Sequence, residues 1–124
     1  MLSHLRQRVA DTLATAATAT LSSHGRAGIQ VNVFPCEARE LVLYLLVPRT
    51  SDHLFNLESN SGVVLWTESW QARGIGCLVP EIPAGLALVE RPDAAWCQVV
   101  AVYPRRLQIE RSRGSDYAET IDID

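Results

Sequence analysis

Seven consecutive apolar residues, Leu41 to Val47, end at Pro48, and this run restricts the fold more than any other segment of the chain. A run of that length between turn formers fits a strand covered on both faces. After the break come Arg49-Thr50-Ser51 and a short segment in which Leu54 and Leu57 stand three apart, a helical spacing. Ser51 is placed to cap that helix, and Asp52 falls in its first turn, where an acidic side chain suits the helix dipole. A helix of one turn and a half does not hold together alone in water, so it must dock on the rest of the fold. Its free N–H groups then point at whatever lies beyond Arg49, which makes the start of the helix a candidate anion site. A polar tip, Ser59 to Gly62, leads into a β-branched stretch from Val63 to Trp66.

The remaining signals are mostly β. Leu5, Val9 and Leu13 recur four apart and predict one amphipathic helix over Leu2 to Ala14. Thr15 to Leu21 is Thr-rich and strand-like, and Ser22-Ser23-His24-Gly25 is a turn signal. Ile29, Val31 and Val33 alternate with Gly28, Gln30 and Asn32, which predicts the second strand of a hairpin with one apolar and one polar face. Cys36 to Glu40 is expected to turn the chain into the buried strand. Glu68 to Arg73 reads as a polar connection carrying Trp70, followed by a strand from Gly74 to Val79 whose glycines mark a bulge or a close backbone approach. Beyond an irregular stretch at Pro80, Pro83 and Gly85, one or two helical turns are expected over Asp93 to Val99. Two strands then follow, Val99 to Tyr103 and Leu107 to Ile109, split at Pro104. A turn at Arg113 to Asp116 precedes a last extended segment, Tyr117 to Asp124. Short strands separated by turns at this spacing imply a small barrel.

Composition narrows the class of function. With 124 residues, 48% of them apolar and 20% charged, one globular domain over 1–124 is expected. A net charge of −3 without a basic cluster argues against a nucleic-acid partner. No apolar run approaches the roughly 20 residues of a membrane helix, and the start shows no signal-peptide core, so no membrane contact and a cytoplasmic location are expected. Cys36, Cys77 and Cys97 lack a CxxC spacing and read as small buried hydrophobes. His4, His24 and His53 are scattered without a zinc motif, so no metal site is expected. Every basic residue is arginine and none is lysine, which excludes Schiff-base chemistry and a Walker-type lysine. There is no GxSxG, no Cys–His signature and no telling carboxylate pair, so no catalytic residue can be named.

The order strand, buried strand, loop, short helix, polar tip, strand resembles the pyridoxamine 5′-phosphate oxidase-like family. The residues that carry the resemblance are Gly25-Arg26, Leu43-Tyr44-Leu45, Pro48-Arg49-Thr50-Ser51, Asn56-Leu57, Ser59-Asn60, Arg73-Gly74 and Tyr103-Pro104-Arg105-Arg106-Leu107. It spans about residues 9 to 124. The resemblance implies a mainly β fold, an antiparallel Greek-key split barrel with a few short helices. It also implies a homodimer with flavin mononucleotide (FMN) at the subunit interface. The flavin phosphate would sit at Thr50-Ser51-Asp52-His53, and the ring near Ile29 to Phe34. Asp52 and His53 stand where many flavin binders carry a basic pair, and Ile29 and Phe34 stand roughly where basic residues are common. A phosphate carries close to two negative charges, and Asp52 beside it repels by up to a few kcal/mol at an effective dielectric of about 20. Arg49, Ser51, the helix N-terminus and a protonated His53 are the groups available to offset that repulsion.

Each candidate also has a plain reading. Arg49 is a phosphate fork or a solvated loop residue. Ser51 is a helix cap first and a phosphate ligand second, and Thr50 belongs to the same loop. His53 is a surface residue, a ligand or an acid. Trp70 stacks on a flavin ring or shapes a dimer seam, Trp66 packs in a core or interface, and Asn32 bonds a flavin edge or lines the outside of the barrel. The pair Arg105-Arg106 brackets a strand and is available to pair with Glu119, Asp122 or Asp124. Two functions follow. One is an FMN-dependent oxidoreductase acting on an unknown small molecule, with pyridoxamine 5′-phosphate oxidation itself not expected. The other is a non-catalytic split-barrel dimer that binds flavin, haem or no cofactor. Were haem the ligand, His4, His24 and His53 would be its candidate ligands.

Overall fold

The computed structural model describes residues 2–110 and 118–123. Helix α1 (Ser3–Ala14) leads into strands β1 (Thr18–Ser23), β2 (Gln30–Arg39) and β3 (Val42–Pro48). Helix α2 (Asp52–Ser59) follows, then β4 (Gly62–Trp66), β5 (Trp70–Leu78), two 3₁₀ turns at Ala87–Glu90 and Pro92–Trp96, β6 (Cys97–Glu110) and β7 (Ala118–Asp122). The strand order is β3-β2-β1-β4-β5-β6-β7, and β3 also pairs with β6. That pairing closes six antiparallel strands into a barrel, with β7 extending the far half of β6. Because β4 returns beside β1 after the β1-β2-β3 meander, the first four strands form a Greek key. The fold is the small barrel that the strand pattern implies and the mainly β split barrel that the resemblance implies.

The continuous apolar run becomes β3 because both of its faces are covered. Leu43, Leu45 and Val47 enter the barrel core with Leu21, Leu65, Val100 and Val102. Leu46, on the opposite face, lies under Leu86, Leu88 and Val99 in a separate cluster. The first 3₁₀ turn is pinned there by Glu37, whose Oε1 accepts from the N–H of Leu88 at 2.9 Å. At one end of the barrel α1 buries Val9 and Leu13, and Arg8 pairs with Glu119 of β7.

Several local expectations are corrected. Strand β1 starts three residues later than the Thr-rich segment suggests and runs through Ser22 and Ser23. Cys36 to Glu40 is not a turn: β2 continues to Arg39, and the reversal is a two-residue loop in which Glu40 takes φ 53°. Pro104 does not split the late strand, because β6 passes through it opposite a bulge between Arg73 and Gly74. A proline is tolerated where a bulge removes the demand for its missing N–H. The backbones meet closely at the bulge, since a Cβ on Gly74 would lie 2.4 Å from the Tyr103 carbonyl oxygen. The helical turns of the region after Pro92 end at Trp96, and Cys97 already belongs to β6. Of the cysteines only Cys36 is buried, its thiol pushed up to about 11 by desolvation, whereas Cys77 is exposed and Cys97 half-buried. Arg106 pairs with Asp122 at 2.8 Å, as the charge pattern allows. The turn at Arg113 to Asp116, and the ends Tyr117 and Asp124, lie outside the described residues.

The alternating strand has its apolar face outward. Phe34 and Cys36 are buried, so their parity points into the barrel, and Ile29, Val31 and Val33 are left 78%, 50% and 62% exposed. Across the sheet Val31 pairs with Ser22, which pairs in turn with Val64, and Val33 pairs with Thr20, which pairs in turn with Trp66. A period of two shows that the two faces differ, but a second apolar surface makes it silent about which one is the core.

Candidate functional site

A groove of about 400 Å³ lies where the sequence places the anion site, between β2 and the chain break after β3. Gln30, Asn32, Val33 and Phe34 line it from β2, Pro48 from the end of β3, and Thr50, Ser51 and Asp52 from the loop and the first residue of α2. Ser51 is the N-cap: its Oγ accepts from the N–H of His53 at 3.2 Å. The helix is too short to stand alone, and its inner face explains how it docks. Leu57 and Leu54 pack on the core, while His53 and Asn56 bury polar groups against β1 and the β1–β2 turn.

These polar groups form a connected set. Gly25 lets the turn approach α2, since a Cβ there would lie 3.1 Å from both Cα and O of Asn56. The N–H of Ala27 thereby reaches Asn56 Oδ1 at 2.8 Å. Asn56 Nδ2 donates to the Gly28 carbonyl at 2.9 Å and to Ser23 Oγ at 3.1 Å. Ser23 Oγ lies 2.7 Å from His53 Nδ1, and His53 Nε2 lies 3.0 Å from Asn32 Oδ1 at the groove. The edge of one ring meets the face of the other where Phe34 packs on His53, with centroids 5.3 Å apart. Burial disfavours the imidazolium and lowers the pKa of His53, and Asp52 opposes that shift only in part. A Ser–His–Asn constellation invites comparison with a hydrolytic triad, but Ser23 is 1% exposed and offers no surface for a substrate to approach.

The candidate residues therefore separate. Thr50, Ser51 and Asn32 line the groove, and His53 lies buried behind it, where desolvation works against the protonated imidazole expected to offset Asp52. Arg49 is not among the lining residues. Its backbone N–H donates to the Trp96 carbonyl at 2.9 Å, tying this loop to the second 3₁₀ turn. Trp70 is not in a polar connection at all: it is the first residue of β5, 2% exposed, within the barrel core. Gln30, Ser23 and Asn56 were not singled out from sequence as site residues. Ser23 was masked by its turn-like neighbours, and Asn56 by the leucines around it.

The donor set suits one end of FMN and not the other. Asn32, Gln30, Thr50 and Ser51 offer hydrogen bonds to the polar edge of a planar ring. Among the described residues no cationic side chain lines the groove, and the Asp52 carboxylate does, so the lining does not suit a phosphate dianion. Of the other histidines, His24 borders a separate depression of about 260 Å³ together with Ser22, Val64 and Arg73.

Comparison with solved structures returns the same architecture. A candidate pyridoxamine 5′-phosphate oxidase from Listeria innocua superposes with a TM-score of 0.69 at 14% identity, covering 87% of this chain and 99% of that one. General stress protein 26 from Bacillus anthracis gives 0.68 at 16% identity, with 97% and 99% covered. HutZ, the haem storage protein of Vibrio cholerae, gives 0.59 at 12% identity, with 87% and 94% covered. No family model matches the sequence, and no curated protein matches it either. At these identities the likeness is one of fold.

Proposed function

Starting from the split-barrel fold of the pyridoxamine 5′-phosphate oxidase-like proteins, we propose that this chain is a homodimeric binding module for a planar small molecule held in the groove between β2 and α2. The observation that carries this reading is the lining of the groove: the side-chain amides of Gln30 and Asn32, the hydroxyls of Thr50 and Ser51, the Phe34 ring, and Asp52 as the one titratable side chain among the described lining residues. His53, the one imidazole beside it, is buried with both nitrogens engaged and is held neutral. The volume is at the lower end of the range typical of small-molecule sites. Val33 belongs both to the groove lining and to the outward apolar face with Ile29 and Val31, so a second copy docked on that face would meet the rim of the groove. A cytoplasmic location agrees with this reading.

An FMN-dependent oxidoreductase is the weaker reading, because the phosphate meets Asp52 without a counter-charge. The fold likeness to a haem storage protein and the position of His24 beside Arg73 favour a second one, in which haem binds at the other depression. A single set of titrations tests these readings. Riboflavin fluorescence is expected to be quenched on adding the protein, and sedimentation is expected to give a dimer. Absence of quenching, together with a violet-region band of added haemin that shifts and sharpens relative to haemin alone, would instead establish the haem reading.

A further inference from the structure

We propose that Asn32 sets the specificity of the groove and that His53 is its positioning residue, the last link of a one-way chain of hydrogen bonds that begins at the backbone N–H of Ala27. This deepens the binding reading above and rests on it.

The direction of the chain is fixed at its start. A backbone N–H only donates, so the Ala27 bond identifies the Asn56 atom facing it as the carbonyl oxygen. The other end of that amide is then NH2, and it donates to the Gly28 carbonyl and to Ser23 Oγ. Ser23, already accepting there and sealed from water, directs its own proton to His53 Nδ1. The opposite arrangement would place two donors on Ser23 Oγ and leave its hydroxyl proton without an acceptor among the described residues, a costly state for a buried group. Nδ1 therefore carries no proton, Nε2 does, and Nε2–H donates to Asn32 Oδ1. That leaves the Asn32 NH2 as the group offered to the groove, whose lining includes this residue.

The ligand class follows from this one orientation. A fixed NH2 reads a hydrogen-bond acceptor, such as a ring carbonyl or an unprotonated ring nitrogen, and a site built to donate rejects an analogue without that acceptor. Asp52 on the opposite wall rejects anions. The groove is thus matched to an uncharged heterocycle with an acceptor edge, a dephosphorylated flavin in preference to FMN.

Fluorescence titration of the purified full chain with riboflavin and with FMN, in the wild type and in Asn32→Asp and His53→Gln, tests this. Asn32→Asp keeps an oxygen to accept from His53 Nε2–H but removes the NH2. It is expected to retain the thermal midpoint and to lose at least tenfold in riboflavin affinity. His53→Gln retains a donor toward Asn32 but not the ring geometry. It is expected to lose less affinity and to alter the absorption band of bound riboflavin. In the wild type riboflavin is expected to bind at least tenfold more tightly than FMN. Riboflavin binding unchanged by Asn32→Asp, or FMN binding as tightly as riboflavin in the wild type, overturns this inference while leaving the groove as the site. Failure of both flavins to bind the wild type overturns the groove reading and this inference with it.

Discussion

Ser23 Oγ of β1 and His53 Nδ1 of α2 lie 2.7 Å apart, and each residue is 1% exposed. This bond joins the short helix to the barrel wall where no water can replace either partner. Ser23→Ala removes a group that accepts from Asn56 and donates to His53, leaving buried His53 Nδ1 without a partner and Asn56 Nδ2 with the Gly28 carbonyl alone. A loss of about 1–3 kcal/mol in unfolding free energy is expected, measured by urea denaturation. An unchanged midpoint would show that α2 is held by its leucines alone.

The same burial makes stability depend on pH through His53. Its pKa is lowered in the folded state, chiefly by desolvation, with Asp52 pulling the other way. The unfolded chain then binds the proton more readily. The contribution is fully present above the ordinary histidine value of about 6.5 and is lost as pH falls below it toward the folded-state value. Thermal midpoints measured on both sides of that window are expected to drop on acidification in the wild type and to drop less in His53→Gln. Equal slopes in the two proteins would place the titration elsewhere.

Gly74→Ala probes the bulge where β5 and β6 exchange register. The added methyl would sit 2.4 Å from the Tyr103 carbonyl oxygen and 2.9 Å from Pro104 Cα. Both are backbone atoms in a paired strand, so the ladder itself must shift. A cost of roughly 2–4 kcal/mol is expected by chemical denaturation, in the range of severe steric substitutions. Gly28→Ala tests a different cause, since Gly28 has φ 79° with nothing within 4 Å of the added atom, and strain alone makes its smaller effect.

What the sequence shows of this molecule is what periodicity and punctuation can carry. Leu41 to Val47 identify β3, Pro48 its end, and Ser51 the cap of α2, because each depends on neighbours close in the chain. Trp70 reads as part of a polar connection because its flanks, Glu68, Ser69, Gln71 and Arg73, belong to a tight β4–β5 turn and to the outer parity of β5; burial there is decided by pairing with Ile109 of β6. For a similar reason the sequence leaves His53 open between a surface residue, a ligand and an acid. What buries it is Ser23, thirty residues earlier, and Asn32, twenty-one residues earlier. Arg49, two residues before the capping serine, reads as the natural anion ligand, yet the tie of its backbone to Trp96 depends on a 3₁₀ turn that follows β5. Local pattern located the groove, and long-range pairing decided which side chains enter it.

The outward face of β2 carries a prediction about assembly. Ile29, Val31 and Val33 are exposed in a row, flanked across the sheet by Thr20, Ser22, Val64 and Trp66. Charged substitutions on this face do not touch the core, so Val31→Lys with Val33→Lys is expected to leave the fold intact by circular dichroism. Sedimentation at micromolar concentration is expected to shift from dimer to monomer. A double variant that remains dimeric would move the seam to another surface.

The two charged residues of the chain break are expected to behave oppositely. Asp52 lines the groove and Arg49 does not. Asp52→Lys replaces a repelling carboxylate with an attracting ammonium at the helix start. FMN carries close to two negative charges on its phosphate and riboflavin carries none. The substitution should therefore raise FMN affinity by roughly tenfold or more, about 1.4 kcal/mol per decade, while riboflavin affinity stays within a factor of about two. The gain should shrink with added salt, since the site is open to solvent. Arg49→Ala should leave both affinities unchanged in the same titration. If Arg49→Ala weakens FMN binding instead, the guanidinium reaches the phosphate on binding, and the anion site lies on the outer side of the loop, toward Trp96.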